Sequence, residues 1–560
     1  LPQSFFFHNV VWDKFYKTEQ YLWGLVEDAL NKVMDYSIEE ILALCCIWLE
    51  EERYKFANGF NGNLSLAYQE LGDTYGKLID LLQNSKWKFT KFDKDAFHSA
   101  YIKILKTNES TSSHKVNILL ATIRDWVKYR TVYIDTYSCD LNSDLILENE
   151  QIILETKEKA FLKWKQDGTR YEFVRQNYLT AATEVRKGEF ENISGRTAIE
   201  KVANYNIQID ILSLLFVLED LGITEFKIKD VNYEVESVIA PLLVYSSNRE
   251  LRYNRGLWEI SNFERNWKED YLVLQLKNGV SLDCSPYILH TQDEFARLNE
   301  QAIGSLSSNQ YKDVFSYFTF SSSNTNINRF VKGYSVYTNP LLKIGDVLFC
   351  PIFFFSSTTW FYAILQKAID VIQPLINETK MVESSLKLLF EQCGYNAISF
   401  DDKTVNTLDG DVDLIVEDDN TTILIQIKRS SLRTTLPEYL NEKLNAELKA
   451  AQQLNDIEIY FLNDDSLYKP KNSIKKWIVS TSLEGINEII EGCRKISYFE
   501  LVWLLRQSEM NNLNDIIAFL EEDRYIDFLI HFYKEELNID LTVLCKGENK
   551  LPLGDTKDFV

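Results

Sequence analysis

Asp411 to Lys428 reads DVDLIVEDDNTTILIQIK, an alternating apolar run over 411–416, a polar turn EDDNT over 417–421 and a second apolar run TILIQIK over 422–428. Apolar runs of this length, the first alternating with period two, bounded by turn-forming residues predict two antiparallel strands. Side chains two apart on a strand share a face, so Gln426 and Lys428 point together. A hairpin of this length lays Asp413 beside that pair. A carboxylate, an amide oxygen and an ammonium then meet at one spot, a set suited to phosphodiester hydrolysis. The carboxylate holds a divalent cation that activates water and stabilises charge developing on the phosphate, while the lysine positions the nucleophile or offsets that charge.

Working outward, Met381 to Cys393 is expected to form an amphipathic helix with Leu386, Leu389 and Phe390 on one face, stopped by Gly394. Tyr395 to Phe400 then supplies a strand ahead of the hairpin. Beyond it the pattern predicts a helix over Glu438–Leu454, a strand over Ile457–Leu462 and another over Trp477–Thr481. The expected order across 373–483 is α-β-β-β-α-β-β, with Pro374 and Asn377 marking the junction that precedes it.

The run Gly410-Asp411-Val412-Asp413-Leu414-Ile415, followed by Gln426-Ile427-Lys428-Arg429, resembles the catalytic core of the PD-(D/E)xK, or restriction-endonuclease-like, superfamily. With the preceding helix and strand (ESSLKLLFEQCGYNAISF), the Gln-x-Lys version is most similar to Mrr-type restriction nucleases and archaeal Holliday-junction resolvases. The resemblance covers about 100 of 560 residues. It implies a Mg2+-dependent endonuclease acting on DNA, with Mn2+ able to substitute. It assigns Glu383 to the family's helical glutamate, Asp413 to the metal-binding aspartate, Gln426 to the second acidic position and Lys428 to the lysine, with the backbone carbonyl of Ile427 as an added metal ligand. Gln426 stands where many relatives have Glu or Asp; a neutral amide holds magnesium less strongly, so the site leans on Glu383 and Asp413. The family also implies an effector of a bacterial restriction or antiphage system. Two rival readings remain: a catalytically inactive nuclease-fold scaffold that binds DNA or protein, and an RNA-directed nuclease.

Arg429 and Arg433, just past the catalytic strand, are the preferred phosphate contacts, supported by Lys443, Lys449, Lys469, Lys471, Lys475 and Lys476. Glu438, Glu442 and Glu447 offer helix partners to some of these lysines. Asp409 and Asp411 read as loop carboxylates. Gln452 and Gln453 read as helix surface, although related nucleases sometimes place a polar residue there.

A net charge of -23 excludes a uniformly basic nucleic-acid-coating protein but not a local basic groove. Eight scattered cysteines, mostly in apolar runs and without a CxxC pair, read as reduced, buried thiols of a cytoplasmic protein. Five histidines lack zinc-ligand spacing. At 560 residues the chain is expected to be a multidomain α/β protein: a mainly helical region over 1–222, a mixed α/β region over 223–372, the nuclease domain over 373–483, and a helical C-terminal subdomain and tail over 484–560. The N-terminal region is expected to act as a sensor, partner-binding or regulatory module. A double-strand cut needs two active sites, which a homodimer or larger homo-oligomer supplies.

Further local expectations complete the pattern. Ile41–Leu49, Ile152–Trp164 and Ala198–Leu221 carry helical spacing, and Gly72–Lys77 (GDTYGK) reads as a turn, one residue short of a phosphate loop. Tyr271–Leu282 reads as a hairpin turning at Asn278-Gly279, and Thr291 to Glu294 as a helix capping box. Leu348–Leu365 is uncharged, but its Pro351 and Ser/Thr cluster favour a buried strand to Phe355 and then a helix to Ile369 over a membrane span.

Overall fold

The structure, a computed structural model, describes residues 3–57, 64–87, 89–106, 114–130, 144–148, 151–155, 211–212, 214–260, 285–302, 305–321, 333–372, 379–399, 412–428, 443–463, 468–471, 473–481, 488–506 and 512–521. The hairpin expected over Tyr271–Leu282 lies outside the described residues, as do Asp409, Asp411, Arg429 and Arg433. The chain mixes helices with several small sheets. It divides into two compact units, one formed by Leu1–Arg130, Asn192–Leu215 and Thr224–Lys367, the other by Thr131–Glu191, Phe216–Ile223 and Ala368–Val560.

Helices α1 (Gln3–Lys32), α2 (Ile38–Ala57), α3 (Leu64–Asn84), α4 (Lys94–Lys106) and α5 (Lys115–Tyr129) open the chain. The expected turn at Gly72–Lys77 is instead the middle of α3. A Cβ on Gly76 would lie 2.6 Å from the Tyr334 carbonyl oxygen and one on Gly72 2.3 Å from the Tyr337 hydroxyl, so these glycines serve close packing of α3 against the 333–337 segment. Asp80, one turn on, accepts the Tyr334 backbone N–H at 2.8 Å and fixes that approach.

Strands β1 (Asp144–Glu148) and β2 (Gln151–Glu155) pair antiparallel, with Leu145 opposite Leu154 and Ile146 opposite Ile153. The helix expected from Ile152 is therefore a strand over its first four residues. Two short apolar runs so close in sequence pair with each other, and runs this short carry no period to separate strand from helix.

The first unit continues with hairpin β3 (Glu225–Ile228) and β4 (Val231–Glu234), helix α6 (Val235–Ile260), strand β5 (Tyr287–Thr291) and helices α7 (Gln292–Ala302) and α8 (Ser308–Tyr317). Thr291 and Glu294 form the expected capping box, Glu294 Oε2 accepting the Thr291 N–H at 2.7 Å and Thr291 Oγ1 the Glu294 N–H at 3.1 Å. Strands β6 (Thr319–Phe320), β7 (Leu341–Ile344) and β8 (Val347–Pro351) complete a sheet of order β5-β8-β7-β6. The uncharged stretch resolves as β8, a 3-10 turn at Ile352–Phe354 and helix α9 (Ser357–Ile372), with Ser356 Oγ accepting the Thr359 N–H at 3.3 Å. No helix among the described residues is long and apolar enough to cross a membrane.

In the second unit, helix α10 (Thr379–Gln392) ends at Gly394, whose φ of +86° lets the chain turn directly into strand β9 (Asn396–Ser399). Strand β10 (Leu414–Glu417) and strand β11 (Thr421–Lys428) form the hairpin, in the register Leu414 to Ile425. Helix α11 (Leu448–Leu462) crosses to β12 (Ser473–Ser480), which lies parallel to β11. The strand expected over Ile457–Leu462 is therefore helix, and the order is α-β-β-β-α-β up to this point. Ile457, Ile459 and Phe461 alternate like a strand, but Ala450, Ala451, Leu454, Ile457 and Phe461 form a buried stripe at helical spacing, while Ile459 is 62% exposed.

The sheet then runs past residue 483 into β13 (Glu488–Ile490) and β14 (Cys493–Ser497), giving the order β13-β14-β12-β11-β10-β9. Helices α12 (Tyr498–Leu505) and α13 (Leu513–Glu521) follow. The region expected to be wholly helical beyond 483 thus begins with two strands. They are short, and a positive-φ turn at Glu491-Gly492 joins them. Val412, Ile415, Leu424, Ile478, Ile490 and Cys493 pack under α11 on one face of the sheet. The alternate residues Leu414, Val416, Ile423 and Ile425 are buried on the other, the face on which α10 packs.

Candidate active site

The hairpin register places Asp413, one residue ahead of β10, opposite Gln426. Asp413 Oδ2 accepts the Gln426 Nε2–H at 2.9 Å and the Ile427 backbone N–H at 2.5 Å. These bonds lock the carboxylate against the end of β11. Because Leu424 faces α11, Gln426 and Lys428 do too. Lys428 Nζ donates to Gln453 Oε1 on α11 at 3.4 Å. Carboxylate and amide thus meet directly, while the Lys428 ammonium, on the same face of the sheet, bonds Gln453.

A strand residue directs its N–H and C=O to the same neighbour. Ile427 sends its N–H to Asp413, so its carbonyl also faces the β10 side, whereas the Lys428 carbonyl turns to β12 and accepts the Thr481 N–H at 3.0 Å.

Glu383 lies in the second turn of α10, half-buried, on the stripe it shares with the buried Leu386 and Phe390. The tight turn at Gly394 sends β9 back along α10, and Ser399 at the far end of β9 pairs with Leu414. Topology therefore brings Glu383 to the end of the sheet where Asp413 stands, from the α10 face. The side-chain bonds described above form two groups, Asp413 with Gln426 and the Ile427 N–H, and Lys428 with Gln453.

Gln426 is 4% exposed, and its Oε1 is buried with no hydrogen-bond partner. A buried amide oxygen without a donor is costly, and a bound cation is one of the few things that satisfies it. The Asp413 carboxylate, this oxygen and the Ile427 carbonyl are three hard oxygen donors, the chemistry that magnesium takes. Among the described residues no group of three or more His, Cys, Asp or Glu could hold a metal ion. The donor set thus fits a divalent cation, but one held with few carboxylates.

The basic residues divide. Lys476 is committed to α11, donating to Glu458 at 2.5 Å and Asn455 at 2.6 Å, and Lys469 donates to the Asn463 carbonyl at 2.7 Å. Lys449 stays exposed on α11. Gln453 is the residue that sequence reasoning left on the helix surface. The buried stripe 450–454–457–461 sets the phase that turns Gln453, rather than the exposed Gln452, to the sheet; the misread strand at 457–462 concealed that phase.

Comparison with protein-family models, curated proteins and solved structures finds no match for this chain.

Proposed function

We propose that the second unit is a divalent-cation-dependent nuclease that hydrolyses phosphodiester bonds in DNA. The observation that carries this reading is the convergence of Asp413, Gln426 and Lys428 at one end of the sheet, with a buried, partnerless amide oxygen among them. In this reading Asp413, Gln426 Oε1, the Ile427 carbonyl and Glu383 hold Mg2+ or Mn2+. The ion supplies an acidified water and a counter-charge for the phosphate.

The chain's own groups do the rest. The Ile427 N–H fixes the Asp413 carboxylate in place, and the Gln426 amide caps it before the ion binds. Lys428, reaching from β11 and held by Gln453, brings a positive charge to the phosphate oxygens, where charge grows as the bond breaks. Arg429 and Arg433 follow directly in sequence and are proposed to hold the neighbouring phosphates. The first unit, which carries none of these side chains, is proposed to recognise a partner or substrate or to restrain the nuclease.

The test is incubation of the purified chain with circular and linear DNA and with RNA, in Mg2+, Mn2+ or a chelator. Cleavage of DNA in either metal and none with chelator is expected. Cleavage of RNA alone would reassign the substrate, and no cleavage of either under any condition would favour a binding scaffold.

A further inference from the structure

The amide of Gln426 raises a question of orientation. Its nitrogen faces Asp413 while its oxygen is buried without a donor, so the nitrogen side of the group is satisfied and the oxygen side is not. Half a turn about the terminal side-chain torsion exchanges the two atoms and moves no carbon of the chain. It would set Oε1 beside Asp413 Oδ2 at the present Nε2 separation of 2.9 Å. Two oxygen acceptors that close repel each other unless a cation lies against both.

The separation also suits a shared cation. Magnesium binds oxygen at about 2.0–2.1 Å in an octahedron, so adjacent ligands on it lie roughly 2.9 Å apart; calcium, at about 2.3–2.6 Å and often pentagonal-bipyramidal, takes neighbouring oxygens at roughly 2.7–3.1 Å. The distance between the Asp413 and Gln426 head groups lets both oxygens lie on one such ion.

We propose that Gln426 is a rotating ligand: its N–H caps Asp413 until a divalent cation arrives, and its Oε1 then takes the place of that N–H, on the cation. The inference rests on the cation-dependent reading above. It gives the glutamine a role that a carboxylate at this position could not play, since a carboxylate has no donor with which to cap Asp413. The neutral amide also costs affinity, so Gln426→Glu should bind Mn2+ at least tenfold tighter than the unaltered chain.

The experiment uses the full chain labelled with 15N at glutamine side chains, the Gln426 amide signal being identified by its loss in Gln426→Glu. Mg2+ is expected to shift that signal, and Asp413→Asn to abolish the response. Binding of Mn2+ is followed in parallel by the paramagnetic resonance of the free ion. Mn2+ binding that Asp413→Asn weakens, with a Gln426 signal indifferent to Mg2+, would overturn the rotating amide and leave the nuclease reading standing. Mn2+ binding indifferent to Asp413→Asn would overturn both.

Discussion

Glu447, just ahead of α11, and Lys495 on β14 form an ion pair with side chains 0% and 1% exposed. Lys495 sits in the same cross-sheet row as Ile478 and Gln426, so at about 4.8 Å per strand it lies roughly 10 Å from Gln426. The pair ties the start of α11, and with it Gln453, to the sheet. Replacing Lys495 by Met leaves Glu447 in the interior without its counter-charge, and breaking a buried pair in this way costs about 3–5 kcal/mol. At about 1.4 kcal/mol per power of ten, amide exchange through opening of this unit should accelerate by roughly two to nearly four powers of ten. The double variant Glu447→Leu/Lys495→Met removes both charges and should return exchange to the unaltered rate or slower, because an apolar pair of similar volume has no desolvation cost. Hydrogen exchange read by mass spectrometry on peptides covering 448–462 and 493–497 measures both variants. Lys495→Met exchange within fivefold of the unaltered chain, or a double variant no better than the single, would refute the reasoning.

Three further outcomes follow from particular residues. Gly24, inside α1, has open space where a Cβ would go, so Gly24→Ala should stabilise the first unit by about 0.5–1 kcal/mol, whereas Gly76→Ala, driven into the Tyr334 carbonyl, should destabilise it by about 1–3 kcal/mol; denaturant midpoints compare them. Burial raises the carboxyl of Glu294, but its hydrogen bond to Lys94 and the Thr291 N–H outweigh burial and bring it down to about 2. A depressed carboxyl contributes stability above its ordinary value near 4.5 and loses it as pH falls towards 2, so Glu294→Gln should melt lower than the unaltered chain at pH 6, with the difference closing between about pH 4.5 and 2. Gln453→Leu removes the acceptor that holds Lys428 and should lower kcat about tenfold with little change in KM, while Gln453→Glu should retain most of the rate; steady-state cleavage of a labelled duplex separates the two.

How much of this was legible before any coordinates depended on the length of each pattern. The hairpin was readable because 411–416 and 422–428 carry apolar runs on either side of a polar turn, and the observed register sets Asp413 against Gln426. Helix α10 announced itself by its stripe and by Gly394. The strand assigned to 457–462 came from three alternating apolar residues that also fit a helix, and only burial decided between them. Strands β13 and β14 are three and five residues long, too short for periodicity to speak. The glycines of α3 looked like a turn because their reason for being glycine lies on a segment about 260 residues away, at Tyr334 and Tyr337. Gln453 was out of reach for the same reason as the false strand, since its direction depends on the phase of α11. Glu383 was placed by resemblance, and topology brings it to the end of the sheet where Asp413 stands, on the α10 face.

The measurement that bears most directly on the nuclease reading is single-turnover cleavage of DNA in Mg2+ by the full chain, set beside Lys428→Ala and Asp413→Asn at matched thermal stability. Lys428 and Asp413 are both half-buried at the strand end, where truncation spares the core. The account predicts that each substitution slows cleavage at least a hundredfold while DNA binding falls far less. Cleavage at the unaltered rate by either variant would contradict it.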